Sequence, residues 1–315
     1  MLLPCMNERI CRFLLPAAMI ALLVSGRQVS AETVPPEITV VTPRPPTSAE
    51  LAGDNIATFI RAHGKPGKRI GQLGRWEKSP CPVTVGLPPA LNEYVTTRIH
   101  AIESAARIPG ADTQACQQQN VLIVFTTEPQ AFLDDVAKKR TTWLGFHYIA
   151  DIAKLKAVQH PIQAWYATAT RSTSSENHLQ SATASGQPEV VLDDAWTSPP
   201  MAQLGSRLSS GQQTWIVFAL IVVNTTKVTG YAIGPVSDYI AMMTLQQTQL
   251  TDSCGALPSI LDLLAPSCAH AATEAITAGD VAYLRALYRI DMAHELSMQR
   301  SSIEDIMMRQ FKDRE

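Results

Sequence analysis

Several common catalytic signatures are missing from this 315-residue sequence. It contains no G-x-S-x-G nucleophile elbow, no G-x-x-x-x-G-K phosphate loop and no G-x-G-x-x-G dinucleotide fingerprint. No two of its seven histidines are four residues apart, so no helix can offer the paired imidazoles of a zinc peptidase. No pair of cysteines has the C-x-x-C spacing that is typical of metal sites. The sequence therefore predicts no catalytic residue, no cofactor and no bound metal.

The first 31 residues contain the three consecutive parts of a cleavable signal peptide. Arg9 and Arg12 supply positive charge, residues 13–24 are apolar, and a small-x-small site ends at Ala31. We predict cleavage after Ala31 and export to the periplasm or the medium. An uncleaved N-terminal anchor is the alternative, although the apolar run is short for a membrane span. Residues 32–46 contain five prolines and are expected to form an extended leader.

The mature chain has no excess of positive charge and no long basic run. Loss of Arg9, Arg12, Arg27 and Glu8 with the signal peptide leaves 23 basic and 27 acidic residues from totals of 26 and 28. The resulting net charge of −4 argues against nucleic acid or an anionic membrane as the partner. The most apolar stretch after the signal, residues 215–223, is too short to span a bilayer. The expected partner is therefore a protein or a small ligand.

Short strands alternate with helices along the mature chain, which predicts an α/β fold. A capping box formed by Thr47 and Glu50 is expected to start a helix that Gly64 ends. Between residues 70 and 140 the order is strand, helix, strand, helix, which predicts parallel strands joined by a right-handed crossover. The expected strands cover residues 70–76, 82–86, 121–125, 162–168 and 215–223. The later expected helices cover residues 91–102, 129–139, 236–250 and 278–288, with a surface loop over 171–188.

Four cysteines remain after cleavage, namely Cys81, Cys116, Cys254 and Cys268. An even number in an oxidising compartment predicts two disulfides, and counting alone allows three pairings. Cys81 and Cys116 each stand shortly before one of two strands that are expected to be parallel, and parallel neighbours are close enough for a disulfide. We therefore expect Cys81–Cys116, with Cys254–Cys268 closing a short loop. A metal site and four free thiols are the alternatives.

The second half of the chain carries short sequences in an informative order. An apolar strand and a helix are followed by the loop sequence Ser259-Ile260-Leu261. The last helix of this region then contains Thr277, Asp280, Leu284, Leu287 and Tyr288. This order resembles the secreted zinc metallopeptidases of the zincin class, in which a loop reading roughly S-I-M and a helix reading roughly L-T-x-x-D-x-x-x-L-x-x-L-Y follow the zinc helix. The resemblance covers about residues 210–290 and implies a zincin-like mixed sheet packed with helices.

The zinc-binding motif itself is missing from this order. Asp238, Tyr239 and Met242 stand where the resemblance would place the first histidine, the general-base glutamate and the second histidine of H-E-x-x-H. With these residues at the three positions, the site would lack both imidazole ligands and the carboxylate that activates water. The resemblance thus implies a single domain over residues 47–292 with a degenerate active site, followed by a charged helical tail over 293–315. A plain core helix, with Met242 as packing, is the simpler interpretation.

Short sequences across the mature chain also resemble a family of bacterial exported proteins of unknown function. They are Arg75-Trp76, Cys81-Pro82-Val83, residues 124–127 (VFTT), residues 160–166 (HPIQAWY) and residues 238–242 (DYIAM). The resulting hypothesis is an exported, catalytically inactive protein that binds a partner or ligand or has a structural role. The alternatives are an envelope hydrolase with a metal-free site and a plain envelope binding module without zincin ancestry.

Overall fold

The strands and helices form one mixed sheet with helices on both of its faces. The computed structural model describes residues 43–51, 54–68, 70–111, 116, 119–172, 211–248, 250, 254–265 and 273–312. The strands are β1 (Arg75–Trp76), β2 (Pro82–Val85), β3 (Val121–Thr126), β4 (Ile162–Ser172) and β5 (Gln212–Asn224). The helices are α1 (Asn55–His63), α2 (Pro89–Ala106), α3 (Pro129–Lys139), α4 (Ile152–Leu155), α5 (Thr225–Val228), α6 (Ile233–Leu245), α7 (Ala278–Leu287) and α8 (Leu296–Lys312). Short 3-10 helices cover Thr141–Leu144, Ile149–Asp151 and Ile260–Leu264.

Some predicted segments lie outside the described residues. They are the signal peptide, the leader as far as residue 42, and the loop from residue 173 onward. None of the helices in the described ranges is long and apolar enough to cross a bilayer.

Strand β5 lies at the centre of the sheet. Along one edge it pairs in parallel with β3, where Val121 stands beside Ala219, and with the short β1. Along its other edge it pairs antiparallel with β4, where Ile162 stands beside Val223. β2 pairs in parallel with β3, so only β4 opposes the direction of the other four strands. The predicted α/β class and the predicted central strand are both confirmed.

Each face of the sheet has its own hydrophobic core, because side chains alternate along a strand. Ile123 and Ile221 lie in the larger core, together with buried residues of α1, α2, α6, α7 and α8. Val124 and Leu220 lie in the smaller core, which Leu133 of α3 helps to cover. Burial on both faces explains why β3 and the second half of β5 are apolar at nearly every position.

β2 and β3 are parallel neighbours, as the predicted disulfide requires. Pro82 stands beside Val121, and Cys81 and Cys116 form a disulfide with their Cα atoms 5.4 Å apart. The predicted pairing of these two cysteines is confirmed. Cys254 is also disulfide-bonded, but Cys268 lies outside the described residues, so the second pairing stays a prediction.

The first helix begins later than predicted. The capping box is present, because the Thr47 N–H donates to Glu50 Oε2 at 2.6 Å and the Glu50 N–H donates to Thr47 Oγ1 at 3.3 Å. It closes a turn, however, and α1 starts only at Asn55. Gly53, which stands between them in the sequence, has a high entropic cost in a helix and weakens propagation from the box. Gly64 follows the end of α1, as predicted.

Two further elements are shorter than predicted. Only Arg75–Trp76 of the expected strand 70–76 pairs with β5, while Leu73 bridges to Pro66. Gly71 has a φ of 69°, a left-handed conformation that glycine adopts without strain, and it turns the chain before the sheet. Helix α6 ends at Leu245 instead of residue 250, because the backbone is extended at Gln246.

Helix α8 is present where a charged helical tail was expected, but one of its faces is buried. The buried residues are Gln299, Ile303, Met307 and Phe311, which recur every four residues. Gln299 Oε1 accepts a hydrogen bond from the Leu73 N–H at 2.8 Å, and its Nε2 donates to the Met292 carbonyl at 3.1 Å. The helix therefore contributes to the larger hydrophobic core.

Candidate functional site

Helices α2 and α6 pack against each other on the larger-core face of the sheet. α2 follows β2, and α6 follows β5 after the single turn α5, so both begin near the carboxyl ends of parallel strands. Every residue of α6 from Val236 to Leu245 is buried. A charged residue in that stretch must therefore be neutralised by a partner inside the protein.

Asp238 of α6 forms a buried ion pair with Arg98 of α2. Arg98 donates from Nε to Asp238 Oδ1 at 2.5 Å and from Nη2 to Oδ2 at 2.9 Å. The Ile276 N–H donates to Oδ2 at 2.8 Å, which connects the segment before α7 to the same carboxylate. The side chains of Arg98 and Asp238 are 6% and 1% exposed. The hydrogen-bonded carboxylate raises the pKa of Arg98 above its ordinary value, so the guanidinium keeps its positive charge in this buried place.

The other two positions of the missing zinc motif are also enclosed in protein. Tyr239 and Met242 are both part of the larger hydrophobic core. Burial raises the pKa of the Tyr239 phenol, which keeps it neutral and unable to act as a base near neutral pH. All three residues thus lie on one buried helix. Asp238 forms an ion pair there, and Tyr239 and Met242 pack against apolar side chains.

A second polar centre joins the segments that carry the remaining zincin-like residues. Ser259 Oγ donates to Asp280 Oδ1 at 2.7 Å, and the Ile260 N–H donates to Asp280 Oδ2 at 2.9 Å. Thr277 donates to the same Oδ2 from its N–H at 2.9 Å and from its hydroxyl at 2.8 Å. Burial raises the pKa of the Asp280 carboxyl, and the hydrogen bonds from the Ile260 N–H, the Ser259 hydroxyl and the Thr277 N–H oppose that rise. The centre connects the start of the 3-10 helix Ile260–Leu264 to the start of α7.

A third polar centre lies closer to the C-terminal end of α2. Glu103 is fully buried. Its carboxylate accepts a hydrogen bond from the Ser79 hydroxyl at 2.8 Å and contacts His100 Nδ1 at 2.8 Å. The His100 side chain remains 39% exposed. An imidazole at the surface that is oriented by a buried carboxylate is an arrangement that general bases use.

The sequence analysis did not identify Arg98 or Glu103, although a signal was present. Both fall on the buried stripe of α2 that also contains Val95, Ile99 and Ile102. Charged residues on an apolar helical stripe must find buried partners, so they could have been singled out from the spacing. The partner of Arg98 is 140 residues away in the sequence, however, and no local pattern identifies it.

Polar side chains also lie at the carboxyl end of the sheet, near the starts of α2 and α6. A Cβ atom on Gly234 would be 3.4 Å from Tyr94 Oη, so the phenol reaches the first turn of α6. Thr225 Oγ1 of α5 is buried and has no hydrogen-bond partner within the described part of the chain. Tyr231 follows α5 and is 44% exposed. Ligands of α/β proteins commonly bind outside this end of a parallel sheet.

Neither a metal-binding group in the described residues nor a known relative indicates a function for these sites. Within the described ranges, no group of three or more His, Cys, Asp or Glu side chains is placed to hold a metal ion. No protein-family model, curated protein or solved structure matches the chain. The resemblances to zincins and to exported bacterial proteins therefore rest on sequence patterns alone and stay predictions.

Proposed function

We propose that this chain is an exported domain that binds a protein or a small ligand and does not catalyse a reaction. The observation that carries the proposal is the buried ion pair between Arg98 and Asp238. The resemblance to zincins predicts a zinc ligand at position 238, and the structure has there a carboxylate that an internal cation neutralises.

The geometry of this pair opposes metal binding. Each Asp238 oxygen already accepts a hydrogen bond from Arg98, and Oδ2 accepts a second one from Ile276. A divalent cation at this carboxylate would displace Arg98 or lie beside its positive charge, at a large cost in a buried place. Neither the phenol of Tyr239 nor the thioether of Met242 replaces the missing base and imidazole.

Two features support export. Cys81 and Cys116 form a disulfide, and Cys254 also takes part in one. Structural disulfides persist in oxidising compartments and are rare in the bacterial cytosol. The predicted cleavage after Ala31 would place the mature chain in such a compartment.

A binding role needs a surface, and the carboxyl end of the sheet is the place that we favour. Tyr231 offers an exposed aromatic ring with a hydroxyl group there, whereas Tyr94 is buried, as is the hydroxyl of Thr225, which has no partner in the described part of the chain. Aromatic side chains with a polar end are frequent in binding sites. The ion pair joins α2, which carries Tyr94, to α6, which begins two residues after Tyr231, and this gives it a positioning role.

Metal analysis of the purified chain from residue 32 onward tests the proposal. We expect no more than trace zinc and no peptidase activity that a chelator abolishes. The Asp238→Asn variant is the matched control, since it should leave the zinc content unchanged. One tightly bound zinc per wild-type chain that the control lacks would show that Asp238 is a ligand and would contradict the proposal.

A hydrolase with a metal-free site is the second candidate, and the contact between His100 and Glu103 favours it. This contact gives a general base its orienting carboxylate. The Ser79 hydroxyl, however, donates to Glu103 and is not available as a nucleophile in this arrangement. Hydrolysis of peptide or ester substrates by wild type, together with a loss of at least about a hundredfold in His100→Ala, would favour this candidate over the binding role.

A further inference from the structure

Tyr94 of α2 is a buried tyrosine whose hydroxyl makes no hydrogen bond to any described residue. The residue is only 6% exposed. Its Oη atom points toward the first turn of α6, where a Cβ atom on Gly234 would lie 3.4 Å away. A buried hydroxyl without a partner costs free energy, and its presence calls for an explanation. A ligand that accepts a hydrogen bond from Tyr94 beside Gly234 would provide one.

The first turn of α6 offers backbone donors at the same place. Ala232, at the N-cap position, makes no side-chain hydrogen bond, and the N–H groups of Ile233 and Gly234 have no acceptor among the described residues. The next residue, Pro235, has no N–H. This turn is partly exposed, so a ligand can reach it from solvent. The start of a helix of 13 residues also carries the positive end of the helix dipole, which attracts anions.

The register between α2 and α6 fixes the phenol beside this helix start. Tyr94 precedes Arg98 by four residues and Gly234 precedes Asp238 by four, so the members of each pair share one helix face. The buried ion pair between Arg98 and Asp238 joins the two helices one turn further along. The phenol and the backbone donors are therefore held together before a ligand arrives, which reduces the conformational entropy that binding costs.

The phenol of Tyr94 acts as a hydrogen-bond donor. Burial raises its pKa, Arg98 opposes the rise and Asp238 adds to it, so the hydroxyl keeps its proton at neutral pH. Arg98 already pairs with Asp238 and supplies no free positive charge. The site thus offers three uncharged donors and a helix dipole. This combination suits the two oxygens of a singly charged carboxylate better than a doubly charged phosphate.

We propose that Tyr94 and the first turn of α6 bind the carboxylate group of a small ligand. The carboxylate oxygens accept hydrogen bonds from the Tyr94 hydroxyl and from the N–H groups of Ile233 and Gly234. Tyr231 directly precedes the N-cap residue and is 44% exposed, so its ring is available to an apolar part of the ligand. The inference rests on the proposed function in taking the carboxyl end of the sheet as the binding surface, and it adds the chemical class of the ligand.

An NMR titration with benzoate tests the carboxylate site in the chain from residue 32 onward, which retains the compact unit Pro35–Glu315. At constant ionic strength we expect saturable shifts of the Ile233 and Gly234 amide resonances. Benzamide is the matched ligand, because it keeps the shape of benzoate without the charge, and it should bind at least about tenfold more weakly. The Tyr94→Phe variant loses only the hydroxyl and should bind benzoate about tenfold more weakly than wild type.

The Gly234→Ala variant separates binding from folding. Alanine has a higher helix propensity than glycine, and its methyl group fits 3.4 Å from the phenol oxygen, so the melting temperature should not fall. The methyl group nevertheless fills the space between Tyr94 and the helix start, so benzoate binding should be lost. Tyr148→Phe is the matched control for Tyr94→Phe, because Tyr148 is an exposed tyrosine in the connection between α3 and β4. It should bind benzoate like wild type.

Several results would overturn the carboxylate site. They are the absence of a saturable shift at Ile233 and Gly234 in wild type, and wild-type binding of benzoate by either Tyr94→Phe or Gly234→Ala. Equal binding of benzamide and benzoate, or tighter binding of inorganic phosphate than of benzoate, would show that a carboxylate is the wrong class. A chain that contains no zinc and ignores benzoate would lose only this site, since the metal analysis tests the absence of catalysis independently.

Discussion

Ser259 and Asp280 are joined by a hydrogen bond of 2.7 Å, although they are 21 residues apart in the sequence. Ser259 caps the 3-10 helix Ile260–Leu264, and Asp280 completes the capping box at the start of α7 with Thr277. One buried carboxylate thus stabilises two helix starts. A serine and an aspartate at these positions are explained by folding alone, without a catalytic role for either.

Substitution Asp280→Asn should destabilise the fold by about 2–4 kcal/mol. The amide keeps the shape of the side chain but loses the charge and presents an NH₂ group to donors from Ser259, Ile260 and Thr277. Urea unfolding followed by circular dichroism measures the loss. Asp262→Asn is the control, because Asp262 closes the neighbouring capping box and is only partly buried, so about 1 kcal/mol is expected. Equal losses in both variants would contradict the shared role of Asp280.

Removal of the disulfide should cost about 4 kcal/mol. Cys81 and Cys116 are 35 residues apart, and the chain-entropy relation gives this value for a loop of that size. The variant Cys81→Ala/Cys116→Ala should therefore melt well below wild type under non-reducing conditions. With a reductant the two proteins should converge. A melting temperature that is the same for both under non-reducing conditions would mean that the disulfide does not form in the protein.

A carboxylate should be far more harmful at Ile221 than at Val217 of β5. Ile221 is fully buried beside β3, whereas Val217 is only partly buried at the margin of the smaller core. An unpaired charge at position 221 costs several kcal/mol of folding free energy, whereas a carboxylate at position 217 can reach water. We expect Ile221→Asp to abolish the soluble protein and Val217→Asp to retain a folded fraction. Similar yields of the two variants would contradict the assigned depth of β5 in the sheet.

The strongly patterned parts of the fold could be predicted from the sequence. The apolar runs of β3 and β5 indicated strands buried on both faces, and the positions of Cys81 and Cys116 indicated two parallel neighbours. Pro129 marked the start of α3, because proline fits the first turn of a helix. These features depend on local chemistry, so the residues in and next to each element are sufficient to predict it.

The parts that could not be predicted depend on contacts between distant segments. Arg98 could be recognised as a buried charge, but not as the partner of Asp238, since the two belong to helices brought together only by the complete sheet. The burial of α8 likewise depends on distant segments, since this helix packs against α1 and α7 and its Gln299 accepts a hydrogen bond from the Leu73 N–H. The capping box of Thr47 and Glu50 formed without a helix, because local capping chemistry does not determine how far a helix extends.

A double-mutant cycle on Arg98 and Asp238 tests most directly whether position 238 serves the fold and not a metal. The single variants Arg98→Met and Asp238→Leu each leave one buried charge without its partner and should each lose about 3–5 kcal/mol of unfolding free energy. The double variant removes both charges and should recover to within about 1 kcal/mol of wild type, with no effect of added zinc on any of the four proteins. The account would be contradicted if the two single losses added up in the double variant. It would also be contradicted if zinc raised the stability of wild type but not that of Asp238→Leu.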